Sequence, residues 1–115
     1  MHTVVETPSY LAAAKSAGIP EAVQREIVTT VASRPDLGDL IVGTGGLRKF
    51  RIARPGGGKS GGFRVLSYYL GADFPVFLIG VFAKNQKDNL TAAERALVAK
   101  RLTAMSETYT VARTK

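Results

Sequence analysis

Apolar residues recur every four positions at Ile19, Val23, Ile27 and Val31, the spacing that lines one side of an α-helix. Pro20 starts this helix, and Pro35 forces its end near Ser33, because a proline bars the preceding residue from helical geometry. A shorter helix precedes it. Thr7-Pro8 reads as an N-cap followed by proline at the first helical position, with the helix running through Lys15 and stopping near Gly18. The tight connection between the two predicts a helical hairpin. Ahead of it, Thr3-Val4-Val5 is a candidate first strand of three residues.

Residues 35–46 read as loop, with Leu40-Ile41-Val42 as a small hydrophobic anchor. The period then changes from four to two. In residues 47–53, Phe50 and Ile52 fall on one face and Lys49 and Arg51 on the other. Residues 63–70 form a second strand. Residues 75–83, apolar on both faces, form a third with a central place in the sheet. The connections, a Gly-rich turn at 55–62 and Gly71-Ala72-Asp73, are too short for parallel crossovers, so the three strands form an antiparallel meander. The last element opens on a capping box, Thr91-Ala92-Ala93-Glu94, after which Val98, Leu102, Met105 and Tyr109 line one helical face as core residues. The expected architecture is α+β: a helical hairpin and a C-terminal helix packed on a small antiparallel sheet.

At 115 residues the chain has room for one domain, spanning 1–115, with a core large enough to fold without staples. It has no cysteine, which removes disulfides and thiolate metal sites. Its one histidine, His2, lies beside the terminus, so neither a metal site nor a bound cofactor is expected. No basic n-region with an apolar core opens the chain, and the most apolar run, residues 76–83, is too short to span a bilayer. A soluble, cytoplasmic protein without membrane association is the expectation.

The formal net charge is +7 and the pI about 10.1, which fits an RNA, DNA or acidic protein partner. Its distribution says more than its size. Between Asp39 and Asp73 there is no acidic residue, yet Arg48, Lys49, Arg51, Arg54, Lys59 and Arg64 all fall there. They alternate with strand-forming apolar residues, so a folded basic sheet is expected rather than a tail. Lys49 and Arg51 at i, i+2 share a face, and their repulsion is unfavourable unless an anion lies between them. Arg64 begins the neighbouring strand and Lys84 follows the third, which lets both reach the same surface. A solvated face serving only solubility would explain any one of these cations; four converging on one sheet favour nucleic acid. The segment Gly56-Gly57-Gly58-Lys59-Ser60 imitates a P-loop, but Ala53 stands in place of its first glycine. The motif also needs a helix after the loop, and Phe63-Arg64-Val65-Leu66-Ser67 reads as strand. The loop is therefore read as a hairpin connection whose Lys59 touches phosphate.

Gly43-Thr44-Gly45-Gly46-Leu47-Arg48-Lys49-Phe50-Arg51, Gly58-Lys59-Ser60-Gly61-Gly62-Phe63-Arg64-Val65 and Phe82-Ala83-Lys84-Asn85 together resemble the RelE/HigB-type toxins of type II bacterial toxin–antitoxin modules, the HigB-like branch above all. The resemblance covers nearly the whole chain. It implies the compact RelE-like microbial ribonuclease fold and an mRNA endonuclease (mRNA interferase) that inhibits translation by cleavage in the ribosomal A site. It also implies a cognate antitoxin, expected to carry a helix-turn-helix DNA-binding domain, with DNA reached only through that complex. A ribonuclease that uses the substrate's own 2′-hydroxyl needs no metal and no protein nucleophile. It needs proton transfer at two oxygens and cations around the phosphate. By the resemblance, the catalytic positions are Lys49, Arg51, Arg64 and Lys84. Arg64 and Lys84 are assigned to phosphate stabilisation and Lys49 to proton transfer. Arg51 is either its partner or a second phosphate clamp. Arg48, Arg54, Lys59 and Lys87 are the expected contacts to messenger and ribosomal RNA.

The chain departs from the family pattern in one respect. Several relatives carry a tyrosine or histidine shortly after the last strand, where this chain has Asn85-Gln86-Lys87-Asp88-Asn89-Leu90, which leaves the general acid and the base preference open. Tyr68 and Tyr69 are candidate stacking groups, with core packing the expected role of at least one. Two other readings stand beside the endonuclease: a non-cleaving, ParE-like toxin of the same fold, and a basic RNA- or ribosome-binding module.

Overall fold

The structure is a computed structural model and describes residues 2–53, 62–83 and 90–114, with side chains of the last helix described through Thr108. The first strand, β1 (Val4–Glu6), leads into α1 (Pro8–Ser16) and α2 (Glu21–Ser33), the expected hairpin. Thr7 caps α1: its hydroxyl accepts from the Tyr10 amide at 3.2 Å and donates to the Leu78 carbonyl at 2.7 Å. One side chain thus satisfies an orphan helix donor and pins the helix start to the sheet. Gly18, at φ 65°, lets the chain reverse between the helices.

The strands β2 (Asp39–Leu40), β3 (Leu47–Ile52), β4 (Phe63–Tyr69) and β5 (Val76–Ala83) complete a five-stranded sheet of order β1-β5-β4-β3-β2. The expected meander is present as β3, β4 and β5, all antiparallel. Two edge strands extend it. β2 pairs antiparallel with β3, while β1 pairs parallel with β5, so the sheet is mixed. The central position belongs to β4, with β5 beside it, so β5 owes its apolar character to being interior rather than central. The expected anchor at residues 40–42 does not form as such. Leu40 and Val42 are 60% and 84% exposed, because a two-residue edge strand has a neighbour on one side only; Ile41 alone packs inward.

Each sheet face carries its own cluster. On one face Tyr10, Ala14, Val23, Ile27 and Val31 pack on Phe50, Ile52, Phe63, Val65, Val76, Leu78 and Val81. The helical stripe read from the sequence is thus the stripe that is buried. The other face holds Leu47, Leu66 and Tyr68 against Leu102 of α3 (Ala92–Thr114), with Val98 and Met105 beside it. The capping box of α3 is formed: the Thr91 amide donates to the Glu94 carboxylate at 2.8 Å, and the Glu94 amide to the Thr91 hydroxyl at 3.1 Å. On β5 the helical-hairpin side is fully buried at Val76, Leu78, Val81 and Ala83, whereas Phe77, Ile79 and Phe82 on the α3 side are only half-buried. One face of the sheet is therefore sealed and the other partly open, and the open face can host chemistry. Among the described residues, no helix is long and apolar enough to cross a membrane.

Candidate active site

The alternation of β3 places Leu47, Lys49 and Arg51 on the open face and Arg48, Phe50 and Ile52 on the sealed one. The register then fixes their neighbours. Arg51 stands opposite Arg64, which stands opposite Phe82; two residues along, on the same face, Lys49 stands opposite Leu66, which stands opposite Gly80. Directly opposed residues on antiparallel strands share a face, so Lys49, Arg51 and Arg64 converge as their spacing predicted. Arg51 is exposed, and Lys49 and Arg64 are half-buried. Nη1 of Arg64 is buried with no hydrogen-bond partner among the described residues. A guanidinium nitrogen in that state, beside a second arginine, is an uncompensated donor that an anion would satisfy.

Glycines permit this arrangement. A Cβ on Gly62 would come within 3.0 Å of the Ile52 carbonyl and 3.2 Å of Arg51 Nε, so the bare backbone lets the Arg51 side chain lie across the start of β4. Gly38 has φ 106°, and a Cβ there would sit 2.7 Å from the Lys49 carbonyl oxygen. No other residue fits between β2 and β3 at this point.

The remaining expected contacts divide. Arg48 is on the sealed face, half-buried, and its Nη1 donates to the Gly38 carbonyl at 3.0 Å; it does not join Lys49, Arg51 and Arg64. Lys84, Arg54, Lys59 and Lys87 lie outside the described residues. The segment after the 55–62 connection is strand β4, antiparallel to β3, not the helix a P-loop requires. Tyr68 is buried against Gly46, whose Cβ position lies 3.1 Å from the ring. Tyr69 packs toward the helical hairpin with the His2 ring edge-on at a centroid distance of 5.2 Å. Both tyrosines are packing residues, and His2 is held by its amide on the Ala32 carbonyl at 2.8 Å.

Two residues at the site were not singled out from the sequence. Asp39 stands directly opposite Lys49 on β2, which sets a carboxylate beside the cations. Arg95 comes from the first turns of α3 and lines, with Asp39, Lys49, Leu66, Phe82 and Leu90, a cavity of about 290 Å³ on the open face. Its Nε is buried without a hydrogen-bond partner among the described residues. The signal for Arg95 was present: residues 95, 98, 102 and 105 follow helical spacing, so Arg95 extends the apolar stripe of Val98, Leu102 and Met105 with a cation. Among the described residues no group of three histidine, cysteine or carboxylate side chains is arranged to hold a metal ion.

A small α+β domain with a cationic cluster on the open face of its sheet defines a class of basic, anion-handling proteins. The sequence profile of the family described as the RelE toxin of the RelE/RelB toxin–antitoxin system matches residues 7–113, and the chain belongs to that family. The fold is similar to that of a double arginine-to-alanine mutant of E. coli toxin RelE in the free state, with a TM-score of 0.54 at 14% identity over 84% of this chain and 94% of that one.

Proposed function

We propose that this chain, acting as one domain over residues 1–115, is the toxin of a type II toxin–antitoxin pair. In this reading it is a ribosome-dependent mRNA endonuclease that arrests translation by cutting in the A site, and a cognate antitoxin holds it inactive in the cytoplasm. Family membership supports the toxin role. The observation that carries the chemistry is the direct opposition of Arg51 and Arg64 on the open face, with Lys49 two residues along the same strand face.

The reaction follows from what these side chains offer. The 2′-hydroxyl oxygen attacks the adjacent phosphorus, the bond from phosphorus to the 5′-oxygen breaks, and the products are a 2′,3′-cyclic phosphate and a 5′-hydroxyl. One proton leaves the 2′-oxygen and one is delivered to the 5′-oxygen. Negative charge builds on the phosphoryl oxygens in between, where preorganised cations stabilise the transition state more than the ground state. Arg64 takes this role, with Lys84 assigned beside it. Lys49 transfers a proton, and Arg51 clamps the phosphate or partners Lys49. Arg54, Lys59 and Lys87 are assigned to messenger and ribosomal RNA phosphates, whose contacts position without reading sequence. Arg48, bonded to Gly38, contributes by bracing the β2–β3 edge under Lys49.

Mapping mRNA 5′ ends after brief induction tests the reading. New 5′ ends within translated codons, appearing in lysate with ribosomes and absent from the same RNA without them, are expected. Arrest of translation without new ends would replace cleavage by a non-cutting, ParE-like or ribosome-binding mode.

A further inference from the structure

The cleavage step moves one proton off the 2′-oxygen and another onto the 5′-oxygen, and Lys49 accounts for one of these transfers. Its cross-strand neighbour is a carboxylate. Asp39 stands directly opposite Lys49, and directly opposed residues share a face with their Cβ atoms about 4.5–5.5 Å apart. The place of Asp39 is fixed from both sides. Before it, Gly38 has φ 106° and a Cβ position 2.7 Å from the Lys49 carbonyl oxygen, so bare backbone lies close against β3, and its carbonyl accepts from Arg48 Nη1 at 3.0 Å. After it, the Ile41 amide donates to the Leu47 carbonyl at 2.8 Å. Asp39 is exposed and Lys49 half-buried, and both line the open-face cavity, whose wall also carries Leu40, Ile41 and Val42. Asp39 is the one carboxylate among the residues lining it. Arginine is never deprotonated in proteins, and a lysine ammonium donates without accepting, whereas a carboxylate accepts as it stands.

We propose that Asp39 is a further catalytic residue, the general base that takes the 2′-hydroxyl proton, with Lys49 as the general acid that delivers a proton to the 5′-oxygen. The 2′-oxygen gives its proton to the Asp39 carboxylate as it forms its bond to phosphorus. The bond from phosphorus to the 5′-oxygen breaks, its electron pair stays on that oxygen, and the oxygen takes a proton from the Lys49 ammonium. Arg51 and Arg64, two residues along the same face, hold the charge that builds on the phosphoryl oxygens. The cut leaves Asp39 protonated and Lys49 neutral. Because the two are cross-strand neighbours, the proton passes back from carboxyl to amine, and the site is restored without drawing on solvent. The assignment also supplies the general acid that the missing tyrosine or histidine after the last strand left open. An exposed ion pair that merely offsets nearby cations is the simpler account of Asp39, and the two accounts differ in the step that Asp39 serves.

This inference rests on the endonuclease reading, and the experiment separates the two. Stalled ribosomes carry either an all-oxygen message or one in which sulfur replaces the 5′-oxygen at the cut. A thiolate leaves without being protonated, so the sulfur message dispenses with the general acid and still needs the general base. Asp39→Asn and Asp39→Ser remove the carboxylate at an exposed position, where no core packing is lost, and Lys49→Met removes the ammonium. On the all-oxygen message each variant should cut about 100- to 10,000-fold more slowly than the unaltered protein. On the sulfur message Lys49→Met should regain most of that rate, while both Asp39 variants should stay as far behind as before. Recovery of the Asp39 variants on sulfur would mean that Asp39 only positions Lys49. Cutting of the all-oxygen message by those variants at the unaltered rate would reduce Asp39 to an ion pair. Failure of Lys49→Met to recover would remove the general acid. Each of these results would overturn the assignment while leaving the endonuclease standing. No cutting of the all-oxygen message by the unaltered protein would overturn the endonuclease reading and the assignment with it.

Discussion

Arg51 and Arg64 stand directly opposite each other on β3 and β4, two cations on one face with no acidic residue between positions 39 and 73 of the chain. Like charges directly opposed across strands are destabilising, and such cross-strand pairs are worth roughly 0.2–1 kcal/mol. The cost falls away when an anion sits between them. In the proposed function that anion is the substrate phosphate, so the pair is maintained against its own repulsion.

Stability and activity should accordingly part at this pair. Arg64→Ala is expected to leave the thermal midpoint unchanged or slightly raised, since it removes both the repulsion and a buried nitrogen lacking a partner. The same change should cut the rate of mRNA cleavage about 100- to 1000-fold, the usual loss for one transition-state donor. Inorganic phosphate or sulfate should raise the midpoint of the unaltered protein by mass action and do so less for Arg64→Ala. A wild-type growth phenotype in a folded Arg64→Ala protein would remove Arg64 from the chemistry.

Gly38 connects backbone strain to the site. With φ 106° and a Cβ position 2.7 Å from the Lys49 carbonyl oxygen, Gly38→Ala must push β2 away from β3 or distort both. A strained left-handed backbone alone costs about 1–3 kcal/mol, and the displacement also disturbs the Arg48 bond to the Gly38 carbonyl. Denaturant titration should show that loss, and cleavage should fall more than Arg48→Ala makes it fall, because Lys49 and Asp39 move together. Gly18→Ala, equally left-handed but with open space around the Cβ, should lose stability without a selective loss of activity.

What was legible in the chain was what is local. The Ile19, Val23, Ile27 and Val31 stripe, the Thr7 cap and the Thr91–Glu94 box each depend on residues a few positions apart, and each forms as its spacing dictates. The face shared by Lys49 and Arg51 followed from the two-residue period of a strand. The parallel pairing of β1 with β5 was not legible, because a three-residue segment has no period to read and its partner is about seventy residues away. β2 escaped because two residues show no period even with their partner close by, and with it the position of Asp39 opposite Lys49. Arg48 was grouped with the other cations by sequence proximity, although its odd–even position sends it to the opposite face. Arg95 was not legible because only the packing of α3 on the sheet brings a cation at the end of its apolar stripe beside Asp39 and Lys49.

Tyr10 predicts an alkaline weakness. It is fully buried under α1, its hydroxyl has no hydrogen-bond partner among the described residues, and burial together with the nearby Glu6 carboxylate pushes its pKa up to about 12. The folded state thus holds the phenolic proton more tightly than the unfolded chain, whose tyrosine titrates near 10. That contribution is fully present below pH 10 and is lost as pH rises through 12, by linkage an effect of roughly 2–3 kcal/mol. Stability measured by denaturant should fall across this window, and Tyr10→Phe should flatten the fall while matching or exceeding the unaltered protein at pH 7. An unchanged alkaline slope in Tyr10→Phe would assign the loss to other groups.

The origin of the attacking oxygen is the sharpest test of the reaction itself. The chain has no cysteine and a single histidine, and that histidine is packed against Tyr69, so among the described residues no cysteine or histidine stands beside Arg51 and Arg64 as a nucleophile. The substrate's own 2′-hydroxyl fills the role if cations hold the phosphate in line with it. A message with one 2′-deoxy substitution immediately upstream of the cut should then resist cleavage on stalled ribosomes, while the same substitution one nucleotide downstream should not. The fragments should end in a 2′,3′-cyclic or 3′-phosphate and begin with a 5′-hydroxyl, and cleavage should persist in EDTA once ribosome integrity is controlled for separately. Cleavage of the upstream 2′-deoxy message at a normal rate would make water the nucleophile and turn Lys49 and Arg51 from proton-transfer partners into phosphate binders.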